Sequence, residues 1–254
     1  MVTVSDPSAD DLGTAGFSDG LRYHSARPDY PLDAVRFLVV ELGIDSDAHV
    51  VDLGAGTGIF TSQLLPFGPR ITAVEPTPGM RAVFERRLPT VTVLEGRDDH
   101  IPIESGGCDC VVVAQAFHWF DAPVALEEIH RVLVDGGGLG LVWNERDESV
   151  DWVAALGRAM QWPEHQPYQV GTDFTPTIAA GPFVNVERKK FVHTQVLDHD
   201  GLVQRVLTTS YIAVMGEDER HALMEDVSKV IRDLPNPVAL PYVTDAYRAT
   251  AMIR

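Results

Sequence analysis

The sequence contains little cysteine. Only Cys108 and Cys110 occur among its 254 residues, and they flank Asp109 at the head of an apolar run. Alternate side chains of a strand point to the same side of the sheet, so a disulfide between these two residues is geometrically unfavourable. Neither a CxxC pair nor a Cys/His cluster occurs, and the nine histidines are scattered. The spacing therefore predicts no structural metal site.

Basic residues and long apolar runs are also scarce. Lysine and arginine number 20 against 37 acidic residues, which gives a net charge of −17. Such a surface repels phosphate backbones and anionic lipid headgroups, so neither nucleic acid nor a membrane surface is an expected partner. Residues 1–19 lack the basic start and apolar stretch of a signal peptide and are expected to be a flexible segment. A cytoplasmic location is the corresponding prediction.

What the sequence does contain is a regular alternation of strand and helix patterns. Short β-branched apolar runs alternate with helical stretches from residue 32 to residue 145, which is typical of βαβ units. We expect residues 20–254 to form one α/β domain: a Rossmann-like, seven-stranded, mostly parallel sheet with helices on both faces and an antiparallel last strand. Strands are predicted at 49–53, 71–75, 91–95, 109–114, 139–144, 185–193 and 242–247.

Two stretches interrupt this alternation. Gly136, Gly137 and Gly138 predict a turn before the fifth strand. After that strand, residues 150–182 are rich in tryptophan, proline and polar side chains, and we expect them to form a small inserted lid. Their composition fits a contact between two copies of the chain equally well, so a homodimer stays open.

The sharpest motif is the glycine-rich segment VVDLGAGTG at residues 50–58. An apolar strand runs here into a glycine turn that opens a helix, so backbone N–H groups can approach a ligand closely. The glycines follow GxGxG rather than the GxGxxG of dinucleotide-binding loops, and no Lys-Ser or Lys-Thr pair of a phosphate-binding loop follows. Glu75 ends the second strand, 23 positions beyond Asp52, where a carboxylate can accept hydrogen bonds from ribose hydroxyls.

With these features the sequence resembles the class I S-adenosylmethionine-dependent methyltransferases. The segments VVDLGAGTG and ITAVEPTPGM are similar to the first two motifs of that family. The resemblance spans most of residues 20–145. It extends to the branch that includes trans-aconitate methyltransferase and related small-molecule enzymes, through YHSARPDYP at 23–31, AQAFHWFD at 114–121 and TTSY at 208–211. The resemblance implies S-adenosylmethionine as cofactor, S-adenosylhomocysteine as product and a small molecule as methyl acceptor.

The resemblance also implies which residues bind the cofactor. The glycine loop and Asp52 would cradle the methionine half, Glu75 would hold the ribose, and Asp98 would meet the adenine amine. Tyr23 and Arg27 would close over the cofactor, and a guanidinium is well suited to the methionine carboxylate. The full set of predicted cofactor-binding residues is Tyr23, Arg27, Asp52, Gly54, Ala55, Gly56, Glu75, Pro76, Asp98 and Gln115.

Catalysis of methyl transfer needs mainly alignment of the acceptor with the methyl carbon and exclusion of water. His118 is the candidate general base for an acceptor hydroxyl or amine, whereas an ionised carboxylate needs no base. A packing role among its aromatic neighbours is the alternative for His118. The predicted substrate pocket consists of Trp119, Phe120, Trp143, Asn144 and Tyr211, and Trp143 fits the core equally well.

An acceptor oxygen is the leading expectation, and nitrogen or carbon acceptors stay open because the motifs do not report on the nucleophile. Two other classes of function share the fold. A non-catalytic protein that binds S-adenosylmethionine would retain the glycines and Glu75. A nicotinamide-dependent oxidoreductase is disfavoured by Ile59 in the glycine motif and by the lack of a catalytic Tyr-x-x-x-Lys pair.

Overall fold

A computed structural model describes residues 20–162 and 171–254. The predicted flexible segment 1–19 and part of the predicted lid, 163–170, lie outside the described residues. The chain divides into two compact units. Among the described residues, the larger comprises 29–145, 171–193 and 242–254, and the smaller comprises 20–28, 146–162 and 194–241.

The sheet confirms the predicted fold class. Its seven strands are β1 (His49–Leu53), β2 (Arg70–Val74), β3 (Thr92–Leu94), β4 (Cys108–Ala114), β5 (Leu133–Arg146), β6 (Phe183–Leu197) and β7 (Val238–Ala251). They lie in the order β3-β2-β1-β4-β5-β7-β6, with β1 to β5 parallel and the last strands antiparallel. The central strand β1 is buried along its whole length, because helices cover both faces of a parallel sheet.

Helices of the larger unit pack on the sheet. They are α2 (Leu32–Glu41), α3 (Ile59–Leu64), α4 (Pro78–Arg87), α5 (Ala122–Val132) and α7 (Thr175–Ala179). Helix α2 buries Val35 and Leu38 against the sheet. Gly140 on β5 permits this close packing, since a Cβ there would lie 2.8 Å from a methyl group of Leu42.

The three consecutive glycines differ from their prediction. Gly136, Gly137 and Gly138 do not form a separate turn but lie within β5, which begins at Leu133. The β4–β5 pairing shifts register between Cys108 and Cys110, and Gly136 has a φ of 75°. The turn composition therefore produces an irregular bulge inside a longer strand, where residues without a Cβ tolerate the distortion.

The smaller unit is built mainly from helices: α1 (Gly20–Ala26), α6 (Asp151–Ala159), α8 (His199–Leu207), α9 (Ser210–Ala213) and α10 (Glu217–Arg232). Within it, α6 packs on α10 and α1 packs on α8. Its segments come from three separate parts of the chain, and its boundaries differ from those of the lid predicted at 150–182. Within residues 20–162 and 171–254, no helix is both long and apolar enough to cross a membrane.

Candidate active site

The glycine loop leaves β1 at the carboxyl edge of the sheet. Gly54, Gly56 and Gly58 have φ values of 72°, 57° and 80°, a region that side chains with a Cβ rarely adopt. The N–H groups of Gly54 and Ala55 both donate to the Val74 carbonyl, at 2.8 and 3.2 Å, which ties the loop to β2. A Cβ on Gly56 would meet no atom within 4 Å, so the loop backbone has open space on that side.

Asp52 is the buried acidic group beneath this loop. Its Oδ2 accepts a hydrogen bond from Thr61 Oγ1 at 2.5 Å, and the side chain is fully buried. Oδ1 has no hydrogen-bond partner among the described residues. Burial, together with the nearby charge of Glu75, raises the pKa of Asp52 from 3.8 to about 7, and the Thr61 hydrogen bond opposes this shift. An unsatisfied buried carboxylate oxygen in a ligand loop fits a donor or positive charge brought by a ligand.

Glu75 follows β2 and faces the same loop. Its Oε2 accepts from the Gly56 N–H and its Oε1 accepts from the Thr77 N–H, both at 2.9 Å. Burial raises the pKa of Glu75, while these backbone donors oppose the shift. Each oxygen keeps a lone pair beyond its backbone partner, so the carboxylate can still accept hydrogen bonds from two hydroxyl groups.

Gln115 and the aromatic segment after β4 lie directly beside the glycine loop. A Cβ on Gly54 would lie 2.7 Å from the Ala116 Cβ and 3.6 Å from the Phe120 ring, so this contact requires glycine. Gln115 has a φ of 56°, which costs a non-glycine residue on the order of 1 to 3 kcal/mol. Strain of this kind occurs most often at functional sites. The loop and the β4 end therefore form one continuous edge.

His118 lies in the 3₁₀ turn Phe117–Trp119, among aromatic rings. Its ring centroid is 4.7 Å from that of Trp119 and 5.5 Å from that of Trp143. Burial lowers the pKa of His118 to about 3, so the ring is neutral at physiological pH but only weakly basic. The base role remains a prediction, and this low pKa favours an acceptor that arrives already ionised.

The predicted pocket residues on the larger unit occupy different environments. Trp119 is 39% exposed and Phe120 is half-buried, so both present ring surface to solvent next to the glycine loop. Trp143 is only 1% exposed, and its ring centroid lies 4.8 Å from that of Phe174 in a tilted contact, as expected for the core alternative. Asn144 is buried, with its Oδ1 accepting from Thr244 Oγ1 at 2.6 Å and its Nδ2 donating to the Asp29 carbonyl at 3.2 Å.

Asp98 contacts the end of the aromatic segment after β4. Its Oδ2 accepts from the Asp121 N–H at 3.2 Å. Partial burial raises the pKa of Asp98, and the Asp121 hydrogen bond opposes the shift. Its adenine-binding role stays a prediction.

Three predicted site residues belong to the smaller unit. The guanidinium of Arg27 lies 4.5 Å from the centroid of the Tyr23 ring and donates to the Thr208 carbonyl at 2.6 Å. The Tyr211 hydroxyl donates to the Met160 carbonyl. Arg27 and Tyr23 therefore contact each other, and the roles of both toward the cofactor and of Tyr211 toward the substrate stay predictions.

The structure adds positioning residues that the sequence analysis missed. Arg81 Nη1 donates to the carbonyls of Glu75 and Pro76, at 2.8 and 2.7 Å, and fixes the turn that carries the Glu75 carboxylate. Thr61 holds Asp52 from the first turn of α3. Arg81 follows Glu75 by only six positions, so a basic residue in the first turns of the second predicted helix was a usable signal. Thr61 gave none, because a threonine in an apolar helix pattern is typical of packing.

The chain was compared with known proteins. Residues 51–141 match the family model described as "Methyltransferase domain". An uncharacterized methyltransferase of Mycobacterium bovis is 36% identical over 237 residues, covering 90% of this chain and 92% of its own.

Among solved structures, a putative type II methyltransferase of Anaeromyxobacter dehalogenans superposes with a TM-score of 0.66 at 20% identity, covering 89% of this chain and 97% of its own. A phosphoethanolamine N-methyltransferase 2 of Haemonchus contortus, solved with phosphomonomethylethanolamine and S-adenosylhomocysteine, superposes with a TM-score of 0.61 at 13% identity. That alignment covers 98% of this chain and 60% of the other.

Proposed function

The chain belongs to the class I S-adenosylmethionine-dependent methyltransferases, and from this premise we propose that it methylates an oxygen atom of a small molecule. The predictions of a methyltransferase enzyme and of S-adenosylmethionine as cofactor are confirmed. These findings replace the oxidoreductase and non-catalytic alternatives. The acceptor, its oxygen atom and the similarity to the trans-aconitate methyltransferase branch belong to the proposal.

The observation that carries the proposal is the aromatic segment beside the glycine loop. Phe120 and Trp119 present ring surface at the edge where Gly54 approaches Ala116. Small-molecule sites are mostly apolar, with a few polar groups that fix orientation, and this edge has that character. The net charge of −17 adds support, because it disfavours a nucleic-acid acceptor.

The residues of the larger unit fit the cofactor. Glu75 would accept hydrogen bonds from the ribose hydroxyls, and the Asp52 carboxyl with its unsatisfied Oδ1 would favour the positively charged end of the cofactor. When bound, S-adenosylmethionine would supply an electrophilic methyl group on a cationic sulfur, which would leave as the neutral thioether of S-adenosylhomocysteine. The glycine loop and the aromatic wall would then act by alignment and by excluding water.

The proton requirement separates the two kinds of oxygen acceptor. A hydroxyl acceptor must lose a proton, and His118 is a weak base because burial lowers its pKa to about 3. A carboxylate acceptor needs no base and loses no proton as its methyl ester forms. The site therefore favours a carboxylate oxygen over a hydroxyl.

The test is methyl transfer from radiolabelled S-adenosylmethionine to a panel of small carboxylic acids, alcohols and amines. Calorimetric titration with S-adenosylmethionine and S-adenosylhomocysteine first establishes that the protein is loaded. Products from carboxylic acids that release label as methanol in alkali are expected, because methyl esters hydrolyse there and methyl ethers and amines do not. Label transferred only to amines would overturn the proposal. The homodimer stays a prediction, which light scattering of the purified protein checks.

A further inference from the structure

Gln115 occupies a constrained position at the end of β4. Its backbone is left-handed, and its N–H donates to the Val142 carbonyl of β5 at 3.0 Å. The side chain folds toward the same strand, where its Oε1 accepts from the Asn144 N–H at 2.5 Å. The Asn144 N–H group can only donate, so the Gln115 side-chain atom that faces it must be the amide oxygen.

This contact fixes which way the amide faces. With Oε1 held by β5, the two N–H bonds of Nε2 make up the free end of the side chain, and none of the described residues accepts a hydrogen bond from them. The Gln115 residue is half-buried. The adjoining Ala116 lies against Gly54 of the cofactor loop. A pair of neutral donors therefore lies at the edge of the sheet that also carries the glycine loop.

Asn144 of β5, whose N–H binds Gln115, is itself fixed by hydrogen bonds to distant parts of the chain. Asn144 Oδ1 accepts from Thr244 on β7, and Asn144 Nδ2 donates to the Asp29 carbonyl. Thr244 is fully buried, and its hydroxyl also lies 3.2 Å from His193 Nδ1. Buried polar networks of this kind hold one geometry, because breaking any member leaves an unsatisfied group. The orientation of Gln115 is thus built into the larger unit.

We infer that Gln115 is a specificity-determining residue that binds the acceptor through Nε2 and selects a carboxylate. This inference rests on the proposed oxygen methylation and names its substrate class. Two N–H donors complement a carboxylate oxygen, whereas an ammonium group would meet donors of its own kind. In a chain of net charge −17, a neutral donor pair supplies local complementarity for an anion without a buried cation. The sequence predicted Gln115 as a cofactor-binding residue, whereas here its side chain binds the acceptor.

The test uses Gln115→Glu, which keeps the shape of the side chain and an oxygen for the Asn144 N–H but replaces the donors with a charged oxygen. Protein saturated with S-adenosylhomocysteine is titrated with three matched pairs of a carboxylate and an amine. The pairs are benzoate with benzylamine, hexanoate with hexylamine, and succinate with 1,4-diaminobutane. We expect the wild type to prefer the carboxylate in at least one pair. Gln115→Glu should lower the affinity for that carboxylate by about tenfold or more and keep the affinity for S-adenosylhomocysteine within about threefold of the wild-type value.

Gln161→Glu is the matched control. Gln161 is exposed and has a φ of 54°, so the substitution makes the same chemical change in the same backbone region. Carboxylate affinity should be unchanged in this variant. Equal carboxylate affinity in Gln115→Glu and wild type would overturn the inference, as would a wild type that prefers the amine, or shows no preference, in every pair.

Label transfer separates this inference from the proposed function. If carboxylates bind through Gln115 but neither acids nor alcohols acquire label, oxygen methylation is wrong and the binding role of Gln115 stands. If esters form at equal rates in wild type and Gln115→Glu, the proposed function stands and the role of Gln115 is wrong.

Discussion

Replacing Asp52 with asparagine is expected to stabilise the ligand-free protein, and to do so increasingly as the pH rises. Asparagine keeps an oxygen for the Thr61 hydroxyl and cannot ionise. Burial raises the pKa of Asp52 from 3.8 to about 7 in the folded protein. A carboxyl group with a raised folded pKa favours folding below its unfolded pKa, and this contribution is lost as the pH rises through the folded value.

The magnitude follows from the size of the shift. At about 1.4 kcal/mol per pKa unit, a rise from 3.8 to about 7 makes ionised Asp52 cost at most about 4 kcal/mol of folding free energy above pH 7. The cost is partly present at pH 5 and grows by about 2 to 3 kcal/mol between pH 5 and pH 8. Asp52→Asn should therefore gain that amount relative to wild type over this range. His118 also has a shifted pKa, but it is present in both proteins and cancels in the difference.

The assay is urea unfolding of wild type and Asp52→Asn at several pH values from 5 to 8, followed by circular dichroism. Asp109→Asn is the control, because Asp109 is an exposed carboxylate that accepts from the His49 N–H at 2.8 Å. This variant controls for the loss of one acidic side chain at an exposed position. A constant difference for Asp52→Asn would refute the reasoning that a buried, ionised carboxylate destabilises this loop.

Three further predictions concern the site. Glu75→Ala should weaken S-adenosylmethionine binding by about 1 to 3 kcal/mol in calorimetry, through lost hydrogen bonds to a charged group, whereas Glu85→Ala on the exposed side of α4 should not. Because the pKa of His118 is lowered to about 3, the wild-type pH–rate profile should lack a limb near pH 6.5. A limb there that disappears in His118→Ala would restore the base role. Thr244→Val should raise KM for a carboxylate acceptor about threefold to tenfold, because it removes the hydroxyl that binds Asn144, and should change the affinity for S-adenosylhomocysteine little. Thr244→Ser keeps the hydroxyl and should restore the wild-type KM. Equal loss in both Thr244 variants would indicate a packing effect instead.

The fold was predictable because its signals are local. Apolar runs, glycine turns and helix periodicity specify strands and helices within a few residues, so β1 was placed at His49–Leu53 with correct bounds. The glycine motif and Glu75 were predictable for the same reason, since each stands at the end of a recognisable strand. The prediction failed at Gly136–Gly138, where pairing with β4 keeps turn-type residues inside a strand.

The sequence by itself determined the fold class, the methyltransferase family and the positions of the glycine loop and Glu75 at the ends of β1 and β2. Only the tertiary structure decided the state of those residues. Asp52 has a raised pKa because surrounding elements bury it, and Gln115 has one amide orientation because Asn144 lies beside it. Asn144 is fixed in turn by Thr244, which is 100 positions away in sequence. Burial and hydrogen-bond partners arise between distant segments, so no local pattern encodes them, whereas backbone conformation depends on immediate neighbours.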